Sequence, residues 1–338
     1  MNVSEFLETH FRHFNARETL AAARAYRQLI DPAGNIPTSS NNASSASDRP
    51  AGQMMVTLAG AMSTGELGRS LAEMIRRGKV HAITCTAANL EEDIFNLVAH
   101  DEYRIVENWR ALSADDEQAL LDGGFNRVTD TCIPETVMRH IEHRLMKRWK
   151  AGASSGQSQM PCQYMFDLLD EDDFADHFQV PRENSWVAAA KDANIPVFTP
   201  GFEDSTLANI YAARVYDGSI ANHGAIVPGT AQMERLIAWY LQASAQGPVG
   251  FFQVGGGIAG DFPICVVPLL RQDLKQDVPL WSYFCQISDA VTSYGGYSGA
   301  VPNEKITWEK LAVDSPKFMI QSDASIVAPL IFAYVLGW

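Results

Sequence analysis

From Gln53 onward, short apolar runs alternate with stretches whose apolar residues recur at helical spacing. The runs "QMMVTLAG" (53–60), "VHAITCT" (80–86), "IPVFTPG" (195–201), "GAIVPG" (224–229), "PVGFFQVGGG" (248–257), "LWSYFCQIS" (280–288) and "KFMIQS" (317–322) have strand length. Between them "ELGRSLAEMIRRG", "LEEDIFNLVAH", "STLANIYAARVYDG" and "GTAQMERLIAWYLQASAQ" read as helices, and "DASIVAPLIFAYVLGW" closes the chain as another. Such alternation predicts an α/β fold, a mainly parallel sheet with helices on both faces.

Two regions depart from this rhythm. Residues 4–29 predict one N-terminal helix with Ser4 as its cap, and residues 31–52, rich in Ser, Asn, Pro and Gly, predict a mobile linker. Residues 101–190 are more helical and less regular, with "DEQALLDGG" and "IPETVMRHIEHRLMKRWKAG" as helices, and read as an appendage to the sheet. The expected organisation is therefore a helix and linker over 1–52 and one domain over 53–338.

Composition narrows the class. Of 338 residues, 46% are hydrophobic and 20% charged, enough to build a large core. No apolar run reaches the roughly 20 residues of a membrane helix, and the N-terminus lacks the apolar stretch of a secretory signal, so a cytoplasmic protein is expected. Five dispersed cysteines without a C-x-x-C pair argue against a disulfide framework or a zinc ribbon. A net charge of −14 repels nucleic acid and anionic membranes and favours polycations.

Several stretches could carry chemistry. "GGGIAG" (255–260) has the G-x-G-x-x-G spacing that lets backbone approach a pyrophosphate, but Pro263 and Pro268 follow, so a tight turn needing positive φ weighs equally. In "CTAANLEED" (85–93), Thr86, Ala87 and Ala88 precede Glu91, Glu92 and Asp93; helix-dipole chemistry alone accounts for them, and a cofactor with its ribose held by a carboxylate is the functional alternative. Glu203 and Asp204 in "PGFEDSTLAN", and Asp323 in "QSDASIVAP", repeat that shape, which would bring carboxylates to one sheet edge. His140 and His143 share a helix face but lack a third ligand nearby, which favours a solvated face over a metal site. "GASSG" around Ser154 matches a nucleophile motif without its strand-to-helix setting and reads as a flexible loop.

"SGAVPNEKITWEKLAVDS" (298–315) sets Trp308 and Lys310 two apart on what reads as a short extended segment, with Glu304 upstream. A lysine beside an indole in a partly closed site is desolvated, which favours the neutral, nucleophilic amine; the indole and a carboxylate also suit an aliphatic cation. Taken alone, the residues favour a surface lysine between two loops.

The order of the pieces changes that weighting. "TAANLEED", "PGFEDSTLAN", "QVGGGIAG", "SGAVPNEKITWEKL" and "SDASIVAPLI" follow one another as in deoxyhypusine synthases, and with "HFRHFNA" and "TLAGAMSTGELG" the chain resembles the bacterial deoxyhypusine synthase-like branch. The resemblance covers the chain after residue 52, and W-x-K is its most specific element. It implies a doubly wound Rossmann-like sheet and an NAD-dependent homotetramer with sites between paired subunits. It also implies transfer of an aminobutyl group from spermidine or a related polyamine, through a lysine imine, to an acceptor amine. Carried over by position, Lys310 is the nucleophile, and Glu304 and Trp308 line the polyamine channel. Ser63, Thr64, Thr86, Ala87, Glu92, Asp204, Gly256, Asp323 and Ala324 fall where the family contacts NAD. Departures lie in the same pocket: Asn209 and Tyr297 stand where the family has acids, Asp261 where it has histidine, and Tyr294 where it has another acid. The implied donor and acceptor are therefore open. A protein lysine and a small diamine such as putrescine, giving homospermidine, are comparable acceptors; a polyamine dehydrogenase and a non-catalytic polyamine- or NAD-binding regulator are the alternatives.

Overall fold

The computed structural model describes residues 1–33, 50–292 and 298–338. Most of the 31–52 linker, and Tyr294 and Tyr297, lie outside the described residues.

Among the described residues nine strands form two sheets: β1 (Gln53–Leu58), β2 (Ala82–Cys85), β3 (Arg104–Ile105), β4 (Phe125–Val128), β5 (Thr131–Pro134), β6 (Val197–Phe198), β7 (Val249–Val254), β8 (Tyr283–Ile287) and β9 (Lys317–Ile320). The main sheet runs β6-β2-β1-β7-β8-β9, and every pairing in it is parallel. Counting only its own strands, the order is 3-2-1-4-5-6, the doubly wound Rossmann arrangement. The direction in which successive strands are added reverses between the parallel neighbours β1 and β7, whose six residues pair from Gln53 with Val249 to Leu58 with Val254. The crevice for a ligand opens beyond those two carboxyl ends.

Both faces are covered, which is why β7 is buried throughout and reads as a continuous apolar run. Adjacent residues point to opposite faces. Phe252 meets Tyr26 of helix Phe14–Ile30 and Phe332 of helix Ala324–Leu336, whereas Phe251 meets Trp281, itself packed on Tyr240 of helix Gly229–Gln246. Among the described residues no helix is long and apolar enough to cross a membrane.

Four expectations need correction. The N-terminal helix is two, Val3–His10 and Phe14–Ile30, and its cap is Asn2, whose side chain accepts from the Glu5 N–H in a capping box; Ser4 instead donates its N–H to the Trp338 carbonyl. Phe14, at φ 53°, turns the chain between the two. "GAIVPG" is no strand: Ile226 makes only an isolated bridge with Gln159, and Pro228 then leads directly into helix Gly229–Gln246. The region 101–190 contains a second sheet, antiparallel β3-β5-β4, that its polar, short strands did not announce. Ser154 sits in the last turn of helix Glu135–Ser155, which Gly156 ends at φ 71°, and not in a loop.

Candidate active site

The segment carrying Lys310 is a helical turn, not an extended strand. Pro302 and Asn303 start it, Glu304–Thr307 form the turn, and Trp308, Glu309 and Lys310 follow with Glu309 at φ 54°. Buried Leu311 then makes an isolated parallel bridge with Trp281, just ahead of β8. The Trp281 N–H donates to the Lys310 carbonyl at 3.1 Å, and the Ser315 hydroxyl donates to the Trp281 carbonyl at 3.0 Å. Lys310 is thereby held at the entrance to β8 by a residue 29 positions earlier in sequence.

This turn closes one side of a cavity of about 450 Å³. Glu304, Lys305, Trp308 and Lys310 line it from the turn; Gln253 comes from β7, and Asp261, Ile264 and Cys265 from the helix after the glycine turn. The Lys310 Nζ lies 5.7 Å from the Trp308 ring centroid. Trp308 is 63% exposed, so it forms an open rim and not an enclosing wall. Of the residues singled out for the substrate, Glu304, Trp308, Asp261 and Lys310 meet here.

Asn209 does not line this cavity. It is exposed on helix Thr206–Tyr216, and its amide donates to the Ser205 carbonyl at 2.7 Å. Tyr297 falls outside the described residues. Two lining residues carried no sequence signal: Lys305, whose Nζ sits 4.6 Å from the Phe284 ring centroid, and buried Gln253. Burial pushes the Lys305 ammonium below its ordinary range and Lys310 adds to this, with Asp261 and Glu304 opposing.

The residues singled out for NAD lie along the carboxyl ends of the parallel strands. Ser63 and Thr64 follow β1, Thr86 and Ala87 follow β2, Asp204 follows β6, Gly256 follows β7, and Asp323 and Ala324 follow β9. The loop after β1 is fixed by its own bonds: the Ser63 N–H donates to Asn89 Oδ1 at 2.9 Å, Ser63 Oγ accepts from the Trp186 indole at 2.9 Å, and the Thr86 hydroxyl donates to the Gly60 carbonyl at 2.8 Å. Asp204 and Asp323 are exposed, and Asp323 also caps the last helix by accepting from the Ser325 N–H.

The three consecutive acids of helix Ala87–Ala99 are buried and do different things. Glu91 accepts from the Thr206 and Leu207 N–H groups and so caps a neighbouring helix; Asp93 does the same for helix Trp186–Asp192 through Ser185 and the N–H groups of Trp186 and Val187. Glu92, near the edge, accepts from the Thr64 hydroxyl at 2.5 Å. Burial raises Glu91 and Glu92 to about 7 and Asp93 to about 6, with those hydrogen bonds offsetting part of the rise. The expected convergence of carboxylates therefore divides: Glu91, Asp93 and Asp323 serve helix termini, Glu92 accepts from Thr64, and Asp204 and Asp323 are exposed beyond the carboxyl ends of the two edge strands, β6 and β9.

Among the described residues no group of three or more His, Cys, Asp or Glu is arranged for a metal ion. His140 lies against His177, with ring centroids 4.9 Å apart. The cysteines are free thiols, and Cys265 is the one of them that reaches the cavity.

The deoxyhypusine synthase family profile matches residues 7–335. A deoxyhypusine synthase-like protein of Cyanothece sp. is 27% identical over 292 residues, 83% of this chain and 70% of its own length. The protein named Probable deoxyhypusine synthase 1 of Archaeoglobus fulgidus is 24% identical over 84% of this chain and 82% of its own. A solved Entamoeba histolytica structure, provisionally assigned as a deoxyhypusine synthase, superposes over 100% of this chain and 94% of its own with a TM-score of 0.55 at 14% identity, a likeness of fold.

Proposed function

Because the chain belongs to the deoxyhypusine synthase family, and so to a family of transferases, we propose that it is an NAD-dependent aminoalkyl transferase in which Lys310 carries the moving group as an imine. The observation that supports this best is the meeting of Lys310, Trp308, Glu304 and Asp261 on one cavity beside the glycine turn that follows β7.

The crevice between β1 and β7 suits a dinucleotide. Gly60 on one lip and Gly257 on the other have open space where a side chain would stand, and both have positive φ, so backbone is presented bare. Ser63, Thr64, Thr86, Ala87, Gly256 and Ala324 would hold NAD, with Glu92, Asp204 and Asp323 as acceptors for ribose hydroxyls. NAD, when bound, supplies hydride removal from the carbon beside the donor nitrogen and its return at the end. Lys310, as a neutral amine, adds to the resulting C=N carbon, and the donor's departing amine takes up a proton as its C–N bond breaks. An acceptor amine, a small diamine or a protein lysine, then displaces Lys310 by the same exchange. Glu304 and Asp261 hold ammonium groups and receive protons, and Trp308 packs on the methylene chain. A homotetramer with sites between paired subunits, and a cytoplasmic location, belong to the same proposal.

The test is mass spectrometry of protein treated with borohydride after incubation with NAD and a panel of amines. An adduct on Lys310 is the expected result, and its mass identifies the group. NAD binding without any adduct would remove the covalent mechanism and favour a dehydrogenase or a binding protein.

A further inference from the structure

The cavity beside Lys310 is unusual in charge for a chain of net −14. Several cations elsewhere are paired: Arg24 with Glu8, Arg127 with Glu117, Arg144 with Glu171, Arg182 with Asp192 and Lys191 with Asp170. Lys305 and Lys310 line one cavity, and neither ammonium forms an ion pair or hydrogen bond with a described residue; each has only an aromatic ring beside it, Phe284 and Trp308. Two lysines thus balance the two acids of the wall, Asp261 and Glu304.

Gln253 is the second observation. It is 4% exposed, lines the same cavity, and its side-chain amide makes no hydrogen bond with a described residue. Gly260 makes room for it, since a Cβ there would stand 2.3 Å from the Gln253 amide nitrogen. An amide that lines a cavity without a protein partner is open to bond a ligand there. A half-buried ammonium and an amide N–H are together the donors that a carboxylate accepts.

We propose that Lys305 and Gln253 form a subsite for a carboxylate, so that the amine reacting at Lys310 is an amino-acid-like ω-amine and not a polycation. This rests on the reading of Lys310 as the reacting amine. A second ammonium with no carboxylate beside it would meet Lys305 in a half-buried setting, where repulsion is poorly screened.

Ornithine and putrescine differ by one carboxylate and give a matched test. Calorimetric binding to the full-length wild-type protein should favour ornithine at least tenfold. Lys305→Met should abolish that preference by weakening ornithine, and Lys305→Glu should reverse it; Gln253→Leu, with thermal melts to verify folding, should weaken ornithine alone. Equal affinities, a preference for putrescine, or no effect of Lys305→Met would overturn the subsite, as would failure of the wild type to bind either amine. Borohydride trapping reports separately on Lys310. An adduct formed without a carboxylate preference sinks only the subsite, whereas a preference that depends on Lys305 without any adduct supports the subsite and sinks the covalent reading.

Discussion

The Lys310 N–H donates to the Lys305 carbonyl at 3.0 Å, closing the turn that places both side chains on one cavity. In a strand, residues five apart would face opposite sides of the sheet. The turn brings them together instead, and Trp281 holds its far end through the Lys310 carbonyl.

Replacing Lys310 by Arg should abolish transfer and the trapped adduct while keeping the fold and NAD affinity. A guanidinium stays protonated and cannot form an imine, yet it retains the charge in a half-buried site. Intact-protein mass spectrometry, with NAD titration as the control, checks this. An adduct of undiminished yield would remove Lys310 from the chemistry.

Glu309, between Trp308 and Lys310, sits at φ 54°, where an L-residue pays about 1–2 kcal/mol. Ala is ordinarily more stabilising than Gly by roughly 0.5–1 kcal/mol in regular structure. Here the order should invert: Glu309→Gly should be more stable than Glu309→Ala by about 1 kcal/mol. Both variants lose the same exposed bond from Gln272, so the comparison isolates the backbone. Denaturant midpoints decide it, and Ala equal to or above Gly would show that the turn is unstrained.

How far the sequence spoke for itself depended on the range of the interactions. The runs "QMMVTL" and "VGFFQV" announced central strands because both of their faces are buried, so no polar alternation interrupts them. "GAIVPG" has the same local look but finds only Gln159 beside it, a partner no local pattern names. The break at Phe14 was hidden because apolar spacing continues through it, while the contact that fixes the first helix, Ser4 to Trp338, joins the two ends of the chain. Lys310, Trp308 and Glu304 stood out through a motif, whereas Lys305 and Gln253 enter the cavity through tertiary placement alone.

The glycine turn after β7 offers a direct test of the crevice. Gly255 has φ 78°, and a Cβ there would lie 2.8 Å from the Ala59 Cβ in the loop after β1. Gly255→Ala should therefore push the two lips apart and strain the turn, costing about 1–3 kcal/mol in stability and weakening NAD binding at least tenfold. Gly257→Ala has open space and only the positive φ to overcome, so its loss of stability should be the smaller. Fluorescence titration of NAD and thermal melts on both variants check the ordering. Equal losses would show that the two lips are not in close contact.

Glu92 sets a pH dependence whose sign follows from burial. Its folded-state pKa is raised to about 7 from an ordinary 4.5, so the folded protein holds this proton more tightly than the unfolded chain. The associated stability is fully present below about 4.5 and is lost as pH rises through about 7, when a charge must sit in a buried place. Glu92→Gln keeps an oxygen to accept from the Thr64 hydroxyl and removes that charge. The variant should match wild type near pH 5 and exceed it by about 1–3 kcal/mol at pH 8. If Glu92 also serves a ribose hydroxyl, the same variant should bind NAD more weakly at pH 8 despite its greater stability. Chemical denaturation at both pH values, run beside NAD titration, separates the two effects. A variant less stable than wild type at pH 8 would mean that the carboxylate is held by partners strong enough to outweigh its burial.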